Sequence, residues 1–118
     1  MTNPTEHAEQ VSLCQWLDAN HPSLTYFAIP NGGERNVLVA QKLKSEGVKK
    51  GVPDMFFPSL KLFIEIKRVK GGRVSPEQKA MIERLTNDGY TVHVCHGARQ
   101  AVDVLTAAIN HDSIAQLP

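Results

Sequence analysis

Three side chains in the middle of the chain are spaced so that they could hold a cation. Asp54 follows Pro53, and Glu65 and Lys67 come later within Ile64-Glu65-Ile66-Lys67. Residues two apart on a strand point to the same face, so Glu65 and Lys67 share one. If Asp54 opens a strand that pairs with theirs as a hairpin, its carboxylate comes beside that of Glu65. Two adjacent carboxylates repel unless a cation lies between them. Lys67 offsets part of this repulsion and a divalent ion offsets more; oxygen ligands of this type suit Mg²⁺ or Mn²⁺. Such a centre can support phosphodiester hydrolysis by polarising the phosphoryl oxygen, helping to deprotonate a water and stabilising the leaving oxygen. A lysine close by can orient that water and stabilise transition-state charge.

A bare Glu-x-Lys on a strand is ordinarily a surface ion pair. Here the context is more demanding. Pro53-Asp54 precedes it at hairpin distance, Phe56, Phe57, Phe63, Ile64 and Ile66 surround it, and the basic, glycine-rich stretch Arg68 to Arg73 follows directly.

Several elements must position these groups. Ala8, Val11, Leu13, Cys14, Trp16 and Leu17 recur at helical spacing, predicting a helix from about Thr5 to Ala19 that Asn20-His21-Pro22 stops. Leu24 to Ile29 reads as a strand ended by Pro30-Asn31-Gly32-Gly33. Asn36 to Glu46 is helical in pattern, with Gly47 as its stop, and Lys49 to Pro53 is a basic turn. Strands are expected at Asp54 to Phe57 and Leu60 to Lys67, with Pro58 and Ser59 between them. Ser75-Pro76-Glu77-Gln78 is a helix opening: Ser75 as N-cap, proline at the first helical position, and a glutamine three residues after the cap. That helix runs to about Asn87. Tyr90 to Cys95 is a strand, and a last helix spans Ala98 to Ile109, with a frayed tail beyond His111. The order predicts an α/β fold with a mixed sheet of about four strands flanked by helices, the Leu60–Lys67 and Tyr90–Cys95 strands being parallel across a βαβ crossover.

The chain's 118 residues suffice for a single domain, taken as 1–118, and its hydrophobic fraction of 42% suits a folded protein. No apolar run is long enough to span a bilayer, and the N-terminus has no signal-peptide character; a cytoplasmic location is expected. Cys14 and Cys95 lie in apolar surroundings and read as small buried hydrophobes. His93 and Cys95 could suggest zinc, but no second ligand pair stands at usable spacing. Trp16 and Tyr90 read as core residues. The net charge of +1 conceals an asymmetry: Glu34 to Arg73 holds ten basic and four acidic residues, +6, and the remainder is −5. A basic centre on a balanced chain fits a polyanion-binding face.

The quoted text resembles the PD-(D/E)xK, restriction-endonuclease-like nucleases, and within them the VRR-NUC domain of stand-alone phage and bacterial nucleases and of a eukaryotic DNA-repair nuclease. The similar segments are Ile29 to Gly33, Leu43-Lys44-x-x-Gly47-Val48-x-x-Gly51-Val52-Pro53-Asp54, Phe63 to Arg68, Gly71 to Gln78, and Gly89-Tyr90. The similarity runs from Glu6 to about Ile109, and its most specific stretch is Gly47 to Gln78. It implies a restriction-endonuclease-like fold. It implies Asp54 and Glu65 as metal ligands, the Ile66 carbonyl as another, Lys67 as the catalytic lysine, and a glutamate from the first helix. Glu6 is favoured for that glutamate because it stands four before Gln10, as in the family; Glu9 is the alternative. Gln78 matches a position that closes the site, and a role as capping partner of Ser75 stands beside it.

The loops containing Gly32-Gly33-Glu34-Arg35 and Gly71-Gly72-Arg73 are candidate phosphate cradles. Asn31, Arg35, Lys49, Lys50, Arg68, Lys70 and Arg73 are candidate DNA contacts. The resemblance implies a Mg²⁺- or Mn²⁺-dependent DNA endonuclease. Its stand-alone members resemble Holliday-junction resolvases and act as dimers, so branched DNA and a homodimer are expected, in repair or phage DNA processing. A two-fold pair of small domains can address two strands of a junction. The competing readings are a flap, nick or restriction-type nuclease, and a DNA-binding module without catalysis.

Overall fold

The computed structural model describes residues 3–30 and 37–115. Helix α1, Glu6–Asn20, is opened by Thr5, whose hydroxyl accepts the Ala8 N–H at 3.0 Å. Its buried residues Glu9, Leu13 and Leu17 repeat every four positions and form one stripe. Strand β1, Phe27–Ala28, is followed by α2, Val37–Ser45, which has no buried residue. Strand β2, Met55–Phe57, leads through a 3₁₀ turn, Pro58–Leu60, to β3, Leu62–Lys67. Helix α3, Pro76–Asn87, strand β4, Thr91–His96, and helix α4, Ala98–Ala115, complete the chain.

The sheet order is β1-β2-β3-β4. The β1–β2 and β2–β3 pairs are antiparallel and β3–β4 is parallel, as the α/β reading expects. Every residue of β3 is buried, which follows from its place between two strands with cover on both faces. Leu62, Ile64 and Ile66 join Met55, Phe57 and Cys95 against Leu13 and Leu17 of α1 and Ala101 and Leu105 of α4. On the other face Phe63 stacks on Phe56 with ring centroids 4.3 Å apart, and Tyr90 packs edge-on against both. Tyr90 is thus a packing residue. Trp16 is partly buried against the core, and both cysteines are free.

Three expected boundaries are corrected. The strand expected at Leu24 to Ile29 is only two residues long, because its partner β2 is confined between Pro53 and Pro58, which offer no N–H to a ladder. The strand expected from Leu60 starts at Leu62. Pro58–Leu60 coils into the 3₁₀ turn, and Lys61 closes it in the left-handed region at φ 49°. The last helix, expected to end near Ile109, extends to Ala115, no glycine or proline intervening to stop it. Among the described residues no helix is long and apolar enough to cross a membrane.

Candidate active site

The β2–β3 register pairs Met55 with Ile64, so Asp54, one residue earlier, comes opposite Glu65. The Asp54 carboxylate turns to the sheet: its Oδ2 accepts the Ile66 N–H at 2.7 Å. This fixes one oxygen and ties the end of the Pro53-Asp54 turn to the strand that carries Glu65 and Lys67. Glu65 and Lys67 lie on the Phe63 face, both buried, with Nζ 3.6 Å from Glu65 Oε2.

Gln78 reaches the same oxygen, its Nε2 donating to Glu65 Oε2 at 3.0 Å. Its own Oε1 accepts the Ser75 N–H at 2.8 Å, and its N–H donates to Ser75 Oγ. The capping box at the start of α3 therefore holds the glutamine amide in one orientation while it faces Glu65. One side chain thus caps Ser75 and hydrogen-bonds Glu65.

Glu65 Oε1 is buried and has no hydrogen-bond partner. Burial, then the negative charge of Asp54, then a hydrogen bond that the protonated acid gains to Asp54, push the Glu65 carboxyl up to about 8. Lys67 pulls the other way, and Glu6 adds a smaller upward push. Fully ionised, the pair would carry one more negative charge than Lys67 neutralises, which is why Glu65 keeps a proton below about 8, and Glu65 Oε1 has no donor from the rest of the chain. Both properties fit a hard divalent cation, and Mg²⁺ commonly binds through one or two carboxylates while keeping several waters. Among the described residues no three of His, Cys, Asp and Glu form a ready metal-binding group; Glu6 is near enough for its charge to push Glu65 up, and its exposed carboxylate would have to turn inward to join an ion there.

The two candidates on α1 part company. Glu6 is exposed in the first turn. Glu9 is buried, and its Oε1 accepts the Ala98 N–H of α4 at 3.0 Å. The sequence held a signal for this, because Glu9 stands four before Leu13 and eight before Leu17, on the apolar stripe.

Three glycines make close approaches that their spacing in the chain does not announce. A Cβ on Gly51 would lie 2.5 Å from the Glu77 carbonyl oxygen and 2.9 Å from the Gln78 nitrogen. The turn leading to Asp54 thus packs directly on the backbone that presents Gln78. A Cβ on Gly72 would lie 2.9 Å from Cβ of Lys67, which brings the following loop down over the lysine. Gly97 closes on Glu9 and Val69 in the same way.

Lys49, Lys50, Arg68, Lys70 and Arg73 are exposed. Lys49 and Lys50 precede Gly51 and so flank the opening of α3. The Arg68 guanidinium donates to the Gly71 carbonyl at 3.4 Å, across the turn after Lys67. Lys79, exposed beside Gln78, adds a cation that motif reading passed over. Asn31 and Arg35 lie outside the described residues. The zinc possibility finds no support in the geometry: Cys95 is buried, with its thiol pushed up to about 11 by burial, and His93 is exposed.

A mixed four-stranded sheet with Pro-Asp at the threshold of one strand and a buried Glu-x-Lys on its neighbour defines the restriction-endonuclease-like, PD-(D/E)xK class. The family model of the VRR-NUC domain matches residues 5–99, and the chain belongs to this nuclease family. A solved structure titled "VRR_NUC domain protein" is similar with a TM-score of 0.79 and 26% sequence identity, covering 93% of this chain and 92% of that one. No curated protein matches the chain in sequence.

Proposed function

We propose that the chain is a divalent-metal-dependent DNA endonuclease, acting as one nuclease domain and cutting branched DNA as a homodimer. The observation that carries the catalytic reading is half-buried Asp54 opposite buried Glu65 and Lys67, with Glu65 Oε1 unpartnered. Family membership supports a nuclease acting on DNA. The branched substrate and the dimer rest on the resemblance of the sequence to stand-alone nucleases of the family.

Asp54, Glu65 and the Ile66 carbonyl would hold Mg²⁺ or Mn²⁺, with Glu6 completing the set. The bound ion would supply Lewis-acid polarisation of the phosphoryl oxygen and stabilisation of charge on the leaving oxygen. The chain's own groups do the rest. Lys67, held within the buried layer, orients the attacking water and stabilises negative charge on the phosphoryl oxygens as the new P–O bond forms. Gln78 fixes the rotamer of Glu65, so that one carboxylate oxygen is kept for the ion. The exposed cations on either side of α3's opening and in the turn after Lys67 hold neighbouring phosphates, which positions the strand without reading its bases. The attacking water gives up a proton to solvent, the P–O bond to the leaving oxygen breaks, and that oxygen takes a proton from solvent.

The test is cleavage of matched duplex, flap and four-way-junction DNA with Mg²⁺, with Mn²⁺ and with EDTA, using Glu65→Ala as the control. Metal-dependent cutting of the junction, lost in the variant, is the expected result. Binding of all three substrates without cutting of any would replace this reading with that of a DNA-binding module.

A further inference from the structure

We infer that Glu9 is a positioning residue, one that fixes the first turn of α1 and so keeps Glu6 within reach of the metal-binding pair. The inference rests on the reading of Glu6 as a metal ligand given above. Helix α4 starts immediately after Gly97, which has no side chain with which to cap it. The acceptor that α4's opening needs comes instead from α1: Glu9 Oε1 takes the Ala98 N–H at 3.0 Å, across 89 residues of sequence. A carboxylate there also meets the positive end of the 18-residue helix.

The surroundings are built closely around that carboxylate. Gly97 has φ +97°, and a Cβ on it would lie 2.8 Å from Val69 Cγ2 and 3.3 Å from Glu9 Oε2. The N–H of Gly97 donates to the Lys67 carbonyl at 2.9 Å. Two consecutive backbone N–H groups therefore bind the two sides of the site: one takes the strand end that carries Lys67, and the next takes the helix that carries Glu6. Glu6 is one turn before Glu9 in the first turn of α1, where helices fray most readily. Thr5 caps that turn from within, and Glu9 is the nearest polar tie from it to the rest of the fold.

The sheet pairing and the hydrogen bonds that hold Asp54 and Glu65 are made without Glu9. Its loss should therefore weaken metal binding through Glu6 while leaving the fold in place. The experiment titrates Mn²⁺ into metal-free protein and follows binding by electron paramagnetic resonance, with thermal unfolding recorded in parallel. Glu9→Ala and Glu9→Asp, the second keeping the charge but falling one methylene short, are expected to raise the Mn²⁺ dissociation constant about tenfold, the scale of losing an outer partner of a metal ligand. Glu9→Gln keeps an acceptor for the Ala98 N–H and is expected to stay within about threefold of the parent protein on the same scale. Leu17→Val loosens α1 two turns further on and is expected to lower the melting temperature without moving Mn²⁺ affinity.

If Glu9→Ala and Glu9→Asp bind Mn²⁺ like the parent protein, Glu9 only caps α4 and the inference falls. It falls equally if Leu17→Val weakens binding as much as they do. Glu6→Gln separates the inference from its premise: a variant that binds Mn²⁺ unchanged removes Glu6 from the site, whatever Glu9 does.

Discussion

The two faces of β3 differ in kind, although they alternate along one strand of six residues. Leu62, Ile64 and Ile66 face a buried apolar layer between the sheet and helices α1 and α4. One residue away on each side, Glu65 and Lys67 are buried almost as deeply but face each other, Asp54 and Gln78, and one carboxylate oxygen is left without a partner. The first face gains free energy from burial. The second expends some of it, because buried charges lose hydration that a single 3.6 Å ion pair does not restore. A strand can carry so unfavourable an arrangement on one side because the other side secures it.

Substitutions on the two faces should therefore separate activity from stability. The largest effect is expected at the carboxylates: Asp54→Ala and Glu65→Ala should lower the cleavage rate by roughly 10³-fold or more while DNA binding, measured by fluorescence anisotropy, survives. Lys67→Ala should stop turnover with Mn²⁺ binding largely retained. Loss of DNA binding in the carboxylate variants would mean that these acids support the fold, and the contrast between the faces would collapse.

On the opposite face Ile64→Ala should lower unfolding free energy by about 2–5 kcal/mol, read from urea unfolding, with little change in rate per folded molecule. A specific loss of rate in this variant would show that the faces are not separable.

The pH dependence of the metal-free protein sharpens the same contrast. Glu65 is held at about 8 in the folded state, above the ordinary carboxylate value of 4.5, so between these values the folded state keeps a proton that the unfolded state has lost. Stability should fall as pH rises from about 4.5 towards 8. The slope should be reduced in Glu65→Gln. Mn²⁺, which binds the ionised pair, should restore stability chiefly at the upper end. A metal-free melting temperature that rises over this window would contradict the assignment.

A smaller effect is expected at Gln78, where alanine removes the capping partner of Ser75 and the bond to Glu65; about 1 kcal/mol of stability should go, together with a modest part of the rate. The smallest effects belong to the rim. Lys50→Ala and Arg73→Ala should each weaken DNA binding a few-fold whatever the sequence, and reduce the slope of log affinity against log salt by about 1. A sequence-dependent change at either position would point to base contact.

Much of the site could be read in the chain. Pro53-Asp54 and Glu65-x-Lys67 are local text, the period of two put Glu65 and Lys67 on one face, and Ser75-Pro76-x-Gln78 announced its own helix and cap. Pairing Asp54 with Glu65 needed only the hairpin. Contacts between segments far apart were less legible. Gln78 meeting Glu65 depends on Gly51 letting the Asp54 turn rest on the backbone at Glu77, and a glycine at a turn looks the same whether or not something packs on it. The shortness of β1 is not legible in its own residues, because strand length is set by the partner, and β2 is closed off by prolines at both ends.

Glu6 and Glu9 mark the division most clearly. The sequence by itself determined that acids stand at two positions of one amphipathic helix, that a carboxylate pair with a lysine sits on a hairpin, and that the chain reads as a VRR-NUC nuclease. These follow from spacing along a single element, where geometry is fixed by 3.6 or 2 residues per repeat. Only the tertiary structure decided that Glu9 binds the opening of α4, that Glu65 keeps a bare oxygen, and that Gln78 is locked between its cap and the site. Each of those outcomes depends on which donor from a distant segment arrives within 3 Å, and on what burial does to a charge once water has gone.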